Sequence, residues 1–379
     1  MVLKKMKKSI NFIDLVAQQI RLKSTIKDRI NSVLSHGKYI MGPEVLEFEN
    51  AISDYTNSEY VASCGSGTDA LVLALMSYGI GPGDIVFCPA FTFPATAEAI
   101  AILGAVPYFV DVNEDTFNLS LDSLQKAIME TKKEKEYKLK AVITVDLYGL
   151  PTNYNELKEI TQNNNLKLIA DAAQSFGASY FDKKVGSLAD ATCVSFFPAK
   201  PLGCYGDGGA VITNDKYISE KIKSLRLHGK GKNKYDIDFI GINSRLDTLQ
   251  AAILLAKLGE FDWEVNKRNM IANIYTENLK NHIQTPLIPD GSKSIWAQYT
   301  LKHKSREKIQ LALKNQGIPT MVYYPLPMNL QKAYIKFNRG DLKVSEKLAK
   351  EVFSIPMYPD MLAEDQEYII ENILKILKI

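Results

Sequence analysis

The centre of the chain alternates short apolar runs with segments whose apolar residues recur at helical spacing. The runs are rich in β-branched and aromatic residues, and several are almost wholly apolar, as are strands that a sheet buries on both faces. Amphipathic stretches between them, such as 68–79 and 153–165, predict helices. This alternation is typical of the α/β class, with a mainly parallel sheet covered by helices on both sides. The predicted strands are 85–89, 106–112, 140–149, 166–173, 191–197 and 209–214.

The pattern changes after about residue 245. Apolar positions on one helical face predict one or two long helices over 246–281. A β-α-β pattern follows, with elements expected at 296–303, 306–317 and 319–325. We therefore expect a large N-terminal domain over residues 1–250 and a smaller α+β domain over 251–379.

Composition and charge exclude several classes of protein. The 379 residues are 46% hydrophobic and 23% charged, which is ordinary for a globular chain and excludes intrinsic disorder. The formal net charge is only +3, so the chain lacks the strong basic excess of a nucleic-acid binder. The four cysteines are scattered without a CxxC pair, and we expect neither a metal site nor a disulfide framework.

Two segments bear on localisation. The basic N-terminus lacks the apolar region of a signal peptide. The apolar segment 85–110 is interrupted by three prolines, Gly104 and Glu98, which argues against a membrane-spanning helix. We expect a cytoplasmic protein without membrane or nucleic-acid partners.

Lys200 lies in the segment with the strongest chemical signal. It follows a predicted strand, stands between Pro198 and Pro201, and precedes a glycine-rich run. Restricted solvent access favours the neutral amine, which can attack a carbonyl and form a Schiff base. A lone loop lysine is more often simply solvated, so the neighbouring motifs have to decide.

Asp171 ends another predicted strand, where open α/β sheets bind their ligands. A carboxylate there can keep the ring nitrogen of pyridoxal 5′-phosphate protonated, and Gln174 can donate to an oxygen on the ring. Asp171 could equally be a plain helix cap.

Two further segments complete the pattern. Gly67 and Thr68 open an amphipathic helix, whose free N–H groups can bind phosphate, although Thr68 also suits an ordinary N-cap. Phe93 follows a strand and can stack on a flat ring, although a phenylalanine is more often a core residue. Together with Lys200 and Asp171 these groups point to one cofactor, pyridoxal 5′-phosphate.

The chain resembles the DegT family of pyridoxal-phosphate-dependent nucleotide-sugar aminotransferases over nearly its whole length. Any one of the matching motifs is moderately specific, and their common order is strongly specific. They are YIMGPEVLEFE (39–49), GSGTDAL (65–71), PAFTFPATAEAI (89–100), DAAQSFGA (171–178), SFFPAKPLGCYGDGGA (195–210) and GINSRLDTLQAAIL (241–254).

The resemblance implies fold type I, the aspartate-aminotransferase-like fold, and it implies roles for particular residues. Lys200 would be the catalytic lysine. Cofactor binding would also involve Gly67, Thr68, Phe93, Asp171, Gln174, Ser195 and Asn243. Asn243 would reach the cofactor of a neighbouring subunit, which makes a homodimer with shared sites an expectation.

Within the family, the chain looks most like enzymes that aminate UDP-2-acetamido-2-deoxy-3-oxo-glucuronate with glutamate, which leaves 2-oxoglutarate. His228, Arg245 and Tyr323 are the substrate-binding candidates. This subgroup implies a role in lipopolysaccharide, O-antigen or other surface polysaccharide biosynthesis. The alternatives are an aminotransferase for a 3-keto or 4-keto 6-deoxy sugar, UDP- or dTDP-linked, and a regulator that binds the cofactor without turnover.

Overall fold

The computed structural model describes residues 10–233 and 235–377. Its helices are α1 (Leu15–Arg21), α2 (Lys23–His36), α3 (Pro43–Thr56), α4 (Gly67–Ser77), α5 (Pro94–Ile102), α6 (Leu121–Thr131), α7 (Tyr154–Asn163), α8 (Lys216–Leu225), α9 (Thr248–Leu258), α10 (Phe261–Leu279), α11 (Arg306–Asn315), α12 (Lys343–Glu351) and α13 (Ala363–Leu377). Short 3-10 turns cover Leu147–Gly149, Met328–Leu330 and Ile335–Phe337.

The strands form a large sheet and two small ones. They are β1 (Tyr60–Cys64), β2 (Asp84–Pro89), β3 (Val106–Val110), β4 (Lys138–Val145), β5 (Lys167–Asp171), β6 (Ser179–Tyr180), β7 (Lys183–Lys184), β8 (Ala191–Ser195), β9 (Gly209–Thr213), β10 (Ser292–Lys293), β11 (Tyr299–Lys302) and β12 (Val352–Ile355).

The large sheet has seven strands in the order β1-β9-β8-β5-β4-β2-β3. Strands β3, β2, β4, β5 and β8 pair in parallel, and β9 lies antiparallel between β8 and β1. The prediction of an α/β fold with a mainly parallel sheet is confirmed. Each of the six predicted strands has a counterpart in this sheet, whereas its edge strand β1 was not predicted.

Helices cover both faces of this sheet. Alternate strand residues such as Phe87 and Leu168 pack in one core with α3 and α7, while Val86 and Ile169 pack in a second core with α4 and α5. Side chains of a strand point alternately to opposite faces, so strands covered on both sides need apolar residues at nearly every position. Among the described residues, no helix combines the length and apolar character needed to cross a bilayer.

The C-terminal part has its own apolar cluster, built where α10, α11 and α13 surround the pair β11–β12. The expected strand over 319–325 is wrong: only Met321 makes a bridge there, to Ser354, and the partner of β11 is β12. Prolines at 319 and 325 lack the N–H that a strand ladder needs.

The expected helical region 246–281 consists of α9 and α10. Helix α9 crosses residue 250, and its Ala251 and Leu254 belong to the core of the large sheet. The division of the chain into domains 1–250 and 251–379 stays a prediction.

A buried ion pair ties β1 to α3 and to the end of α8. Arg226 donates through Nη1 to Glu49 Oε1 at 2.5 Å and to the carbonyl oxygen of Ser63 at 2.6 Å. The same Glu49 oxygen accepts from the backbone N–H of Ser63 at 2.9 Å. Glu49 and Arg226 are only 5% and 3% exposed, so removal of either residue would leave the other as a buried charge without its partner.

We expect Glu49→Ala to lower the free energy of unfolding by about 3–5 kcal/mol, because it leaves the Arg226 guanidinium buried and unpaired. Urea denaturation of the variant measures this loss. The matched control is Glu47→Ala, which breaks an exposed pair with Arg29 and should cost less than about 1 kcal/mol. Equal losses in the two variants would contradict a special role for the buried pair.

Candidate active site

The site lies where β5 and β8 end, at the edge of the sheet where parallel α/β proteins bind ligands. Asp171 is the last residue of β5 and is 5% exposed. Its Oδ2 accepts from Thr96 Oγ1 at 2.7 Å, and its Oδ1 accepts from the backbone N–H of Ala173 at 3.2 Å. Burial raises the pKa of Asp171, while these hydrogen bonds and the nearby Lys200 amine act in the opposite direction.

Lys200 stands five residues beyond the end of β8 and is partly buried. Its backbone N–H donates to the carbonyl of Phe197 at 2.8 Å, which closes a tight turn. Burial lowers the pKa of the Lys200 amine, and the carboxylate of Asp171 partly opposes that shift. The amine is therefore more readily neutral than a solvated lysine, as a nucleophilic amine requires.

The glycine-rich segment forms the start of α4, as expected. Ser66 is the N-cap, and its side chain accepts from the backbone N–H of Asp69 at 3.0 Å, so this role does not fall to Thr68. Gly67 lies directly against Ser195, because a Cβ on Gly67 would stand 2.6 Å from the Ser195 Cβ. The same Cβ would lie 3.1 Å from the Ser195 hydroxyl oxygen, so Ser195 lies beside the first turn of α4, whose N–H groups have no intrahelical partner.

Gln174 belongs to a polar and aromatic group beside Asp171. Its Oε1 accepts from the backbone N–H of Tyr148 at 2.7 Å, and its Nε2 donates to the Tyr324 hydroxyl at 3.1 Å. The Tyr324 ring lies 6.0 Å from that of Phe93, centroid to centroid. Phe93 is 53% exposed, so it is not the core phenylalanine of the alternative interpretation and has a face free for a planar partner.

A buried carboxyl group supports this turn from behind. Asp146, immediately after β4, accepts from Tyr154 Oη at 2.9 Å, Ser175 Oγ at 2.8 Å and the backbone N–H of Thr152 at 2.9 Å. Burial raises the pKa of Asp146 to about 7. Its bond to Ser175 fixes the residue that follows Gln174.

The remaining candidates lie around this centre. His228 and Asn243 are exposed and close together, since the N–H of His228 donates to the carbonyl of Ile242 at 3.0 Å. Ser244 connects this segment to the start of α4, because its hydroxyl accepts from the Gly65 N–H at 2.9 Å and donates to Asp69 at 2.6 Å. The Arg245 carbonyl faces Gly65.

Tyr323 lies on the other side, beside Tyr324. Its carbonyl accepts a hydrogen bond from the Tyr148 hydroxyl, and its ring is 6.3 Å from that of Phe12. The structure does not join Tyr323 to the segment of His228 and Arg245 by any described hydrogen bond.

The sequence patterns did not single out Thr96 and Tyr324, which hold Asp171 and Gln174 by hydrogen bonds. The motif PAFTFPAT could have indicated Thr96, because it places this residue three positions after Phe93 on the first turn of α5. Tyr324 gave no such signal, because its only visible feature was a place in an apolar, aromatic run.

These residues fit pyridoxal 5′-phosphate. A buried carboxylate suits the protonated ring nitrogen, a desolvated amine suits the aldehyde, and a helix start in contact with a serine suits the phosphate. The position of Gly67 requires glycine, because any side chain there would collide with Ser195 and fill the space at the helix start.

The model of the DegT/DnrJ/EryC1/StrS aminotransferase family matches residues 21–374. The chain is 45% identical over 351 residues to the UDP-2-acetamido-2-deoxy-3-oxo-D-glucuronate aminotransferase of Pseudomonas aeruginosa, covering 92% of this chain and 95% of the relative.

Solved structures agree with this match. A DegT DnrJ EryC1 StrS aminotransferase from Brucella abortus has a TM-score of 0.95 and 45% identity, over 97% of this chain and 99% of that one. NtdA from Bacillus subtilis, solved with bound cofactor PMP, has a TM-score of 0.90 and 30% identity, over 99% of this chain and 87% of that one. The expected fold type I and the expected cofactor are thereby confirmed. The chain belongs to the DegT/DnrJ/EryC1/StrS aminotransferase family and is a pyridoxal-phosphate-dependent sugar aminotransferase.

Proposed function

We propose that this aminotransferase moves the amino group of L-glutamate to the keto group of UDP-2-acetamido-2-deoxy-3-oxo-glucuronate, in the cytoplasm, for the biosynthesis of a lipopolysaccharide, O-antigen or related polysaccharide. The observation that carries the amino transfer is the placement of Asp171 and Lys200 at the ends of the neighbouring parallel strands β5 and β8, where burial lowers the pKa of the Lys200 amine. The sugar is inferred from the relative of 45% identity, which acts on that compound by its name.

Lys200 is the catalytic residue of this proposal. Its Nζ would hold the cofactor through the aldehyde carbon and, once free, would accept the proton from the donor's α-carbon as a general base. Bound pyridoxal phosphate supplies an electron sink for the negative charge that develops at that carbon. A lowered lysine pKa suits this role, because the free amine has to be neutral to accept a proton.

The other cofactor contacts orient the ring. Asp171 would meet the ring nitrogen with a carboxylate whose two oxygens are held by Thr96 and Ala173. Gln174 would donate to the ring hydroxyl, and Phe93 would stack on the ring. Gly67 and Thr68 would bind the phosphate through backbone and hydroxyl, with Ser195 beside them.

We assign substrate binding to three further residues. Arg245 and His228 are expected to meet the negative charges of a nucleotide sugar, and Tyr323 offers a hydroxyl and a ring. Burial raises the pKa of Tyr323, so its hydroxyl stays protonated and can donate to a sugar oxygen.

The two sugar classes can be separated by one assay with glutamate as donor. We expect the keto-uronate to be aminated and a 4-keto 6-deoxy dTDP-sugar to be a poor substrate, since only the former carries a carboxylate for the Arg245 guanidinium. Formation of 2-oxoglutarate measures turnover. In Lys200→Ala we expect no turnover, and borohydride treatment should no longer fix the cofactor to the protein.

The outcomes of this assay exclude different parts of the proposal. Turnover of the 6-deoxy sugar alone would contradict the substrate and leave the chemistry intact. No turnover of any sugar or of glutamate, with the cofactor still bound to Lys200, would favour the non-catalytic regulator. Full activity of Lys200→Ala would contradict the mechanism.

The pH dependence of cofactor attachment tests the environment of Lys200. Only the neutral amine attacks the aldehyde, so the rate should rise with pH and level off above the pKa of Lys200, which burial places below its ordinary 10.5. Stopped-flow absorbance of cofactor-free protein mixed with pyridoxal phosphate measures this profile. In Asp171→Asn the midpoint should move lower still, because the carboxylate that favours the charged amine is gone. A midpoint at the ordinary lysine value would contradict the desolvated amine.

We also propose a homodimer in which Asn243 binds the phosphate in the partner's site. Two observations support it: the exposure of Asn243, and exposed large apolar side chains, which include Tyr39, Ile40, Phe197 and Ile240. Apolar side chains of this size are common in the centres of subunit interfaces. Residues 39–40 lie beside α9, because the Thr248 N–H donates to the Tyr39 carbonyl at 2.9 Å.

Complementation between two inactive variants tests the shared site. Lys200→Ala and Asn243→Ala should each be impaired, and unfolding and refolding them together should restore about one quarter of wild-type activity, since half of random dimers are mixed and each holds one intact site. Refolding each variant alone is the control. Activity no higher than the sum of the separate variants would place Asn243 in its own subunit's site.

A further inference from the structure

A buried lysine of α9 lies against the loop that carries Lys200. Lys257 is 2% exposed, and its Nζ donates to the carbonyl oxygen of Gly203 at 2.6 Å. The same ammonium lies 4.5 Å from the centroid of the Tyr205 ring. Lys257 therefore contacts a loop that begins only three residues beyond Lys200.

Gly203 transmits this contact to the turn of Lys200. A Cβ on Gly203 would lie 2.4 Å from the carbonyl oxygen of Pro198 and 2.7 Å from that of Phe197, so the two backbone segments are packed without space between them. The Phe197 carbonyl also accepts the backbone N–H of Lys200 at 2.8 Å. A movement of Gly203 would therefore move the turn that holds Lys200.

Helix α9 binds this loop at a second point. The Oε1 of Gln250 accepts from the backbone N–H of Tyr205 at 2.8 Å. Gln250 and Lys257 are seven residues apart, two turns of one helix, so they lie on the same side of it. Together they hold the backbone on both sides of Cys204.

The burial of Lys257 indicates a role beyond filling space. Taking an ammonium out of water is unfavourable, and an unbranched apolar side chain would fill the same space without that cost. Burial lowers the pKa of Lys257 to about 8. The titratable groups that face it are Glu264 on α10 and Cys204, whose negative forms favour the ammonium, and Arg21 on α1, which disfavours it. A charged donor makes a stronger bond to a carbonyl than a neutral donor does.

We propose that Lys257 is a positioning residue for the reaction: through Gly203 it sets the turn that aims the Lys200 amine at the cofactor. Gln250 supports the same loop. This inference rests on the role of Lys200 proposed above.

The experiment follows the attachment of pyridoxal phosphate to full-length protein stripped of cofactor, at several cofactor concentrations. In Lys257→Met we expect the maximal rate to fall by about tenfold or more, because even a small misplacement of a reacting group is costly. The concentration giving half of that rate should stay within about twofold, since the phosphate and ring contacts are unchanged. Lys216→Met removes an exposed lysine and should behave as wild type.

Further variants keep the test decisive. Lys257→Arg retains a charged donor and should recover much of the rate, while Gln250→Ala should slow attachment without exposing a buried charge. Thermal unfolding of each cofactor-free variant identifies those that have lost the fold. A folded Lys257→Met whose maximal rate is within about threefold of wild type overturns the proposal. If Lys257→Met does not fold, a Gln250→Ala rate within that range overturns it.

A parallel Lys200→Ala sample distinguishes a failure of the role proposed for Lys257 from a failure of the role proposed for Lys200. Loss of the covalent link in Lys200→Ala together with a normal rate in Lys257→Met would remove only the role of Lys257. A link that persists in Lys200→Ala would remove the role of Lys200 and the present inference with it.

Discussion

The active site depends on an acid and a base held out of water next to each other. Burial favours the neutral form of both Asp171 and Lys200, and the attraction between their charged forms opposes it. Neither group would be tolerated in such surroundings without partners. Thr96 and the backbone N–H of Ala173 satisfy the carboxylate, and the turn at Phe197 fixes the backbone of the lysine.

The parallel sheet makes this pairing possible. Strands β5 and β8 are neighbours that run in the same direction, so the residues that follow them emerge at the same edge. Strand β9 returns antiparallel along β8 and brings the glycine-rich run back to the sheet. Strand β1 pairs antiparallel with β9 and therefore runs in the direction of β8, so the start of α4, which follows β1, lies at the same edge. The Glu49–Arg226 pair holds β1 in place.

Buried polar groups away from the reacting atoms share one task in this protein. Glu49 with Arg226, Asp146 with Ser175, and Lys257 with Gly203 each join a helix or loop to a segment that carries a cofactor residue. Such groups cost free energy to bury and repay it only when they are satisfied. These three contacts suit a protein that must hold several side chains in a fixed relation to a ring.

The amino-acid sequence by itself determined the α/β class, the six central strands and the family, because strands buried on both faces need continuous apolar runs and the cofactor motifs are local. It did not determine β1, in which Ala62 and Ser63 shorten the apolar run, or β12, which has only four residues, and it wrongly favoured a strand over 319–325. Contacts between distant segments were decided by the tertiary structure alone. Thr96 meets Asp171 across 75 positions, Gln174 meets Tyr324 across 150, and Lys257 meets Gly203 across 54. Local patterns record which face of an element is buried, but the partner of a buried polar atom depends on how the elements pack together.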